Sequence, residues 1–399
     1  MDEPSYDRPL AAIRVVDMSQ GLAGPACGML LAAHGASVVK IEPPKGDWSR
    51  QMGTRYGDHT ALELAVNRGK RSLALDLKAP RGLAIARRLL DQADVVIQSA
   101  RPGVADTLGV GYDAVRRTNP AALYVSISGY GRAGPYADRP ATDTVIQAHS
   151  GLMAINGQSS GAPSRIGFVV VDIAAAMNAF QAVVTSLIAR RDEGRFIDIG
   201  LAQSAASLIT PKVIEAHLEG AAPRPLNAPA GCYRAADVWI AITLVREADF
   251  AAMCGVLGLA HLATDPRYDS YEKRGDTVAD LIPLVADVVK FRDADHWIAA
   301  MTTAGVMCNR VNTVTDWLTD EHVQATDAAP MLAQDSVRDG AVPVVRIPGL
   351  PEAAIANLAL GAPVIGEQGR EILGEIGNSD EEISALIADG IVIVPGGNR

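Results

Sequence analysis

The sequence predicts an α/β protein: a doubly wound parallel sheet in its first half, then a smaller α+β domain. Three observations carry that expectation. Short β-type runs alternate with helical patterns from residue 13 to residue 129, the order that produces parallel strands joined by crossover helices. Aromatic residues make up only 5% of the chain while glycines number 37, a composition suited to helices packed closely on a sheet. Composition then shifts at 219–231, EGAAPRPLNAPAG, where Pro, Gly and Asn mark a linker.

The first run is IRVVD at 13–17, ended by the turn Ser19-Gln20-Gly21-Leu22-Ala23-Gly24-Pro25. A helix from Ala26 to His34 follows, with Pro25 near its first turn, a position that tolerates a missing N–H. ASVVKIE at 36–42 completes a βαβ unit. The turn has no full GxGxxG and so carries only a weak dinucleotide signal. Further runs lie at RSLALDL (71–77), ADVVIQS (93–99) and ALYVSISG (122–129), separated by helical patterns at 80–92 and 112–118. Ligands of such sheets bind beyond the carboxyl ends of the strands. That rule points to the loops 19–25, 42–50, 77–80, 98–103 and 128–135.

Residues 143–155 read as a helix, and FIDIGLAQSAASLI (196–209) as a strand turning into one. Beyond the linker, DVWIAITL (237–244) is a strand, and 247–257, 277–290 and 293–304 are helical, which makes 225–320 a small domain. PVVRIPGL (343–350) reads as a strand again. Two amphipathic helices end the chain, the second opened by a Ser379/Glu382 capping box.

The stretch Arg165 to Arg191 stands apart. It reads as a short apolar strand or extended segment, Ile166 to Val171, then Asp172, then a long apolar helix expected to be buried on nearly all sides. Asp172 is the one ionisable group between Arg165 and Arg190. An aspartate at such a junction can cap the helix through its first N–H groups. It can also be a poised nucleophile. The residues alone leave both readings open.

Charge and composition exclude several classes. A formal net charge of −10 argues against nucleic-acid binding. Between Lys40 and Arg81, however, nine Lys and Arg face five acids, so this stretch is either solvated surface or the seat of a small polyanion. No unbroken apolar run of about 18 residues appears, so no membrane span is expected. The polar, acidic MDEPSYDRPL does not read as a signal peptide. Cys27, Cys232, Cys254 and Cys308 are scattered without metal-ligand spacing, as expected of free thiols in a cytoplasmic protein that holds no metal.

Nine stretches, taken in order, resemble one family: PLAAIRVVDMSQGLAGP, GASVVKIEPPKGD, NRGKRSLALDLK, ARPGVADTLGVGYDAV, NPAALYVSISGYGRAGPY, the VVVD helix, DVWIAITL, GAPVIGEQGREIL and GNSDEEISAL. The family is the class III CoA-transferases, the group of formyl-CoA transferase, carnitine CoA-transferase and α-methylacyl-CoA racemase. The likeness runs from about Leu10 to Val394.

It implies a Rossmann-like large domain built from both chain ends (1–218 and 325–399), a small domain (225–320), and a homodimer of interlocked chains. It implies coenzyme A as substrate and product in its acyl-CoA form, no metal, an acyl-CoA donor and a small carboxylic acid acceptor. Asp172 takes the position of the family nucleophile. CoA contacts carry over to Gly21, Leu22 and Ala23, to Pro43, to Leu75, Asp76, Leu77 and Lys78, to Ser99 and Ala100 with Arg101 beside them, and to Ile127, Ser128, Gly129 and Tyr130. Ser99-Ala100 stands where relatives have Asn-Phe.

In the reaction so implied, N–H groups such as those of Ile173 or Ala174 stabilise oxyanions. At least one of Arg71, Lys78 and Arg101 pairs with a CoA phosphate, and Arg165 and Arg246 are candidates to hold a second carboxylate. A racemase of the same fold would need a histidine directly before Asp143, where this chain has Thr142, with His149 as the substitute. A non-catalytic CoA-binding protein would have no use for Asp172. Dehydrogenase and serine-hydrolase signatures (GxGxxG, GxSxG) do not occur at the required places.

Overall fold

The computed structural model describes residues 4–157, 161–189, 193–220 and 225–396. The chain forms two units, Met1–Thr210 together with Ala328–Arg399, and Pro211–Asp327. In the larger unit seven strands make one sheet: β1 (Arg14–Asp17), β2 (Ser37–Glu42), β3 (Arg71–Leu75), β4 (Val95–Gln98), β5 (Leu123–Ser128), β6 (Phe196–Gly200) and β7 (Val392–Ile393). Their order in space is β7–β3–β2–β1–β4–β5–β6. All neighbours run parallel except β7, which is antiparallel to β3. Leaving β1, the chain winds one way through β2 and β3, then returns to β4 on the other side of β1. The crevice of such a sheet opens where that reversal occurs, at the carboxyl ends of β1 and β4.

The strands read as apolar runs because both faces are covered. Val15, Ile97, Val125 and Ile127 face one helical layer, and Val16, Val39, Leu73, Val96 and Tyr124 face the other. On the first face lie α1 (Ala23–Ala33), α2 (Asp143–His149), α3 (Val170–Ala189) and α4 (Leu201–Leu208). Ala26, Cys27 and Leu31 of α1 share a core with Ala175, Ala176, Ala179 and Val183 of α3. Small residues at these positions let the helix axes approach closely.

By length and composition α3 could cross a membrane, yet its Val171, Ala175, Ala179 and Val183 are fully buried in the unit's own core. The opposite side departs from expectation, with Met177 51% and Ile188 81% exposed. An all-apolar helix has two faces, and one chain covers only one of them.

Other expectations are corrected as well. Ile166–Val171 forms no strand; α3 begins at Val170, with Asp172 inside its first turn. Gln147 Oε1 accepts the Ile166 N–H at 2.9 Å and Asp143 Oδ2 the Val171 N–H at 2.7 Å. Side chains thus satisfy backbone groups that a strand would have paired. The helix expected over 143–155 is two, Asp143–His149 and Leu152–Asn156. Of 343–350 only Pro343 is in a strand, Ala341–Pro343, paired with Met331–Ala333; Pro348, lacking an N–H, cannot extend the ladder. The capping box at Ser379 and Glu382 is present. Residues 190–192, which hold the expected end of the long helix, and 221–224, part of the expected linker, lie outside the described residues.

The smaller unit has its own core. A three-stranded antiparallel sheet (Met307–Arg310, Trp239–Thr243, Gly231–Arg234) packs Ile240 and Ile242 with Leu281, Val285, Trp297 and Met301 of its helices.

Candidate active site

Buried charges set the turn after β1. Asp17 Oδ2 accepts a hydrogen bond from Lys70 Nζ at 2.8 Å. Lys40 Nζ donates to Ser19 O and to Asp47 Oδ2, each at 2.9 Å. Asp47 Oδ1 in turn accepts the Gly21 N–H at 2.9 Å. All four ions are fully buried. Burial pushes Lys70 down to about 8, against the pull of Asp17. Burial acts to raise Asp17, but Lys70 and Lys40 outweigh it and hold Asp17 below its ordinary value. Unpaired, each such ion would cost several kcal/mol, so the turn has little freedom to move. Gly21 has φ +83°, and a Cβ there would stand 2.3 Å from the Trp48 indole. A side chain at this position is excluded twice.

Part of the basic stretch is therefore interior. Beside Lys40 and Lys70, Arg50 binds Glu42 through two nitrogens at 2.8 Å, and Arg68 donates to Gln334 Oε1 and Ala333 O, each at 2.9 Å. Arg71, expected near a phosphate, holds Glu371 at 3.0 Å and Glu375 at 2.6 Å. All five are held by partners within the protein.

Each group of positions assigned to CoA falls at a carboxyl end of a parallel strand. Gly21, Leu22 and Ala23 follow β1, Pro43 follows β2, and Leu75 to Lys78 end β3. Ser99, Ala100 and Arg101 follow β4, and Ile127 to Tyr130 end β5. Ser99 ties the two sides of the crevice together: its hydroxyl accepts the Gln20 N–H at 2.9 Å and donates to Gln20 O at 3.0 Å. From β3 to β5 is four strand spacings, roughly 19 Å, a row long enough for an extended ligand. The Ser128 hydroxyl on this edge is buried without a hydrogen-bond partner, which suits a site for a polar ligand. A Cβ on Gly129 would be 2.3 Å from that of Ala141, so β5 ends against the segment leading into α2.

That segment carries Asp143, which organises the start of α3. Asp143 Oδ2 accepts the N–H groups of Val171 (2.7 Å) and Asp172 (3.3 Å), and Oδ1 accepts Gln147 Nε2 at 2.6 Å. Asp143, not Asp172, caps the helix. Among the described residues no group donates a hydrogen bond to the half-buried Asp172 carboxylate. Burial, then the Asp143 charge, raises it from the ordinary 3.8 to about 7. A carboxylate so little stabilised is more basic and more nucleophilic than one in a cap.

The secondary candidates sit in varied surroundings. The Ile173 N–H bonds to Val169 O at 3.1 Å, so it is not free for an oxyanion, and Ala174 is buried. His149 packs edge-on against Tyr130, with ring centroids 5.1 Å apart, and against Tyr136 at 5.9 Å. Arg246 pairs with Asp249 at 2.8 Å at the start of its own helix, while Arg165 is exposed. No cluster of three His, Cys, Asp or Glu suited to a metal occurs among the described residues. Asp143, Asp47 and Trp48 were not anticipated. An aspartate opening α2 looks like that helix's own cap, and nothing local says it serves another.

An α/β sheet with a crevice at its strand ends and a half-buried carboxylate of raised pKa at a helix start is a frame that suits an enzyme. The chain belongs to CoA-transferase family III, whose sequence profile matches residues 10–369. It is 30% identical to the succinyl-CoA–D-citramalate CoA-transferase of Chloroflexus aurantiacus, over 96% of this chain and 98% of that one. It is 31% identical to the succinate–glutarate CoA-transferase of Agrobacterium fabrum, over 94% and 97%. A CaiB/BaiF family protein from Brucella suis has the same fold, with TM-score 0.80 and 30% identity over 92% of this chain and 99% of that one. CoA transfer is thus the general activity of this chain.

Proposed function

We propose that the enzyme moves CoA from an acyl-CoA thioester to a free carboxylic acid through covalent intermediates on Asp172. The observation that carries this is a half-buried carboxylate raised to about 7 at the start of α3, with no hydrogen-bond donor among the described residues. An Asp172 oxygen attacks the thioester carbonyl. A C–O bond forms, the C–S bond breaks, and CoA leaves as thiolate from a mixed anhydride. The thiolate then attacks the Asp172 carbonyl and expels the donor acid as carboxylate, leaving an aspartyl-CoA thioester. An acceptor carboxylate attacks that thioester and releases the thiolate again. The thiolate takes the acceptor's acyl carbon, and Asp172 is free. Charge balances at every step without an outside proton or electron, and splitting one transfer into four displacements supplies the rate.

Relatives named for succinate, glutarate and citramalate make small dicarboxylic acids the first acceptors to screen. A homodimer belongs to the same reading. The exposed apolar face of α3, with Ile173, Met177 and Ile188, favours burial against a second copy, and sedimentation of a monomer at nanomolar concentration would remove it.

Hydroxylamine added during turnover with an acyl-CoA donor should leave a hydroxamate on the peptide containing Asp172. Label confined to other peptides, or none during turnover, would overturn the covalent route.

A further inference from the structure

The larger unit holds a second ordered set of polar side chains, which shares no residue with the ligand turns or with Asp172. His59 lies in a short hairpin, Arg55–Tyr56 paired with His59–Thr60. Glu63 is in the first turn of the helix Ala61–Asn67 that follows. Ser336 comes from the other end of the chain, on the turn between the paired strands Met331–Ala333 and Ala341–Pro343. Gly57, with φ +67°, lets the hairpin meet that turn, since a Cβ there would stand 2.2 Å from Ser336 O. Ser336 Oγ is 2.7 Å from His59 Nε2, and His59 Nδ1 bonds Glu63 Oε2.

The neighbours fix the direction of each hydrogen bond. Gln334 Oε1 accepts from Arg68 Nη1 and from the Ala362 N–H, each at 2.9 Å. Its Nε2 is therefore the donor, to Ser336 Oγ at 2.7 Å and to Ala362 O at 2.9 Å. Ser336 Oγ, already accepting, gives its own proton to His59 Nε2, and the neutral imidazole carries its proton on Nδ1 toward Glu63. Serine, base and orienting carboxylate in that order are defined by geometry, on any fold and without a GxSxG motif. Helix capping does not account for the cluster, because Thr60 Oγ1 already accepts the Glu63 N–H at 3.3 Å. His59 and Glu63 are fully buried, whereas Ser336 is half-buried beside the exposed Asp335, Arg338 and Asp339. The base is shielded from water while the serine lies at the surface.

We propose that Ser336 is a second nucleophile of this protein, a serine that takes the acyl group of a small ester, with His59 as its base and Glu63 holding the imidazole in place. Oγ bonds to the acyl carbon, and its proton passes to His59 Nε2. The ester C–O bond breaks, and the alcohol leaves with that proton. Water then attacks the acyl-serine and gives a proton to His59. The acid is released as Oγ takes the proton back. One ester and one water become one acid and one alcohol, and the activity stands apart from CoA transfer.

Diisopropyl fluorophosphate, a small reagent for activated serines, tests it with peptide mapping by mass spectrometry. Wild type should carry an adduct on the peptide containing Ser336, and Ser336→Ala none there. Hydrolysis of para-nitrophenyl acetate should fall roughly a hundredfold in Ser336→Ala, in line with loss of a base-assisted nucleophile. The thiol of Ser336→Cys should react with iodoacetamide at about pH 7 roughly tenfold faster than the exposed Cys232, because His59 draws its proton. Neither substitution removes a fully buried side chain, and thermal melting checks that each variant is folded. An unlabelled Ser336 in the wild type, equal ester hydrolysis in wild type and Ser336→Ala, or a thiol no faster than Cys232 would each overturn the proposal. The cluster would then be a brace between the two ends of the chain.

Discussion

Replacing Asp143 by asparagine removes a negative charge from the start of α3 while keeping an oxygen that can cap it. Wild-type Asp172 sits at about 7 against an ordinary 3.8, a difference of roughly 3 units or ~4 kcal/mol between its two protonation states. Burial is the larger cause and Asp143 the second. A unit charge a few ångströms away at an effective dielectric of ~20 is worth roughly 2–4 kcal/mol. Because Asp172 is only half-buried, solvent screens part of this, leaving about one pKa unit. The ionised form is the nucleophile, so kcat/KM for acyl-CoA should rise with pH and reach half its plateau near 7. This ratio reports the free enzyme. In Asp143→Asn the same limb should move to about 6. A limb that stays in place would show that Asp143 does not act on Asp172. A wild-type rate flat from about pH 5 to about pH 9 would refute the raised carboxylate itself.

The same shift predicts a stability effect. The folded value of Asp172 lies above the unfolded one, so its contribution is full below about pH 4, falls as pH rises to about 7, and is absent above. Asp172→Asn should therefore be more stable than wild type at pH 8, by up to about 2 kcal/mol after discounting for partial exposure, and the two should converge toward pH 4. Urea titrations across that range check it, and a difference constant with pH would count against it. Gly21→Ala should lose roughly 2–3 kcal/mol through its positive φ and the Trp48 contact, and should weaken CoA binding as the turn shifts. An unaltered melting temperature would mean that the turn is less rigid than its buried ions imply.

What could be read in the chain, and what could not, follows the range of the interactions. Six of the seven strands of the large sheet were legible because most of their positions are apolar and buried between two helical layers; the two-residue β7 (Val392–Ile393) was not, since two residues make no pattern. The capping box at Ser379 was legible because its two partners are three residues apart. The long helix was legible from its composition, but its exposed half was not, since uniform apolarity marks no face. Lys40 and Lys70 look like surface charges in a basic stretch. Their burial depends on partners such as Asp17, 53 residues from Lys70, which no local pattern links to them.

The site divides in the same way. The sequence by itself singled out Asp172, the one ionisable group in a long apolar run, and left it between helix cap and nucleophile until the family resemblance favoured the second. It pointed to the sheet edge where such folds bind ligands, because βαβ connections place the turns there. Only the tertiary structure decided the state of that carboxylate. Asp143, 29 residues earlier, takes the helix N–H groups that would have stabilised Asp172 and adds a like charge beside it. Charge and hydrogen bonding act through space over a few ångströms, and folding alone brings these two aspartates within that reach.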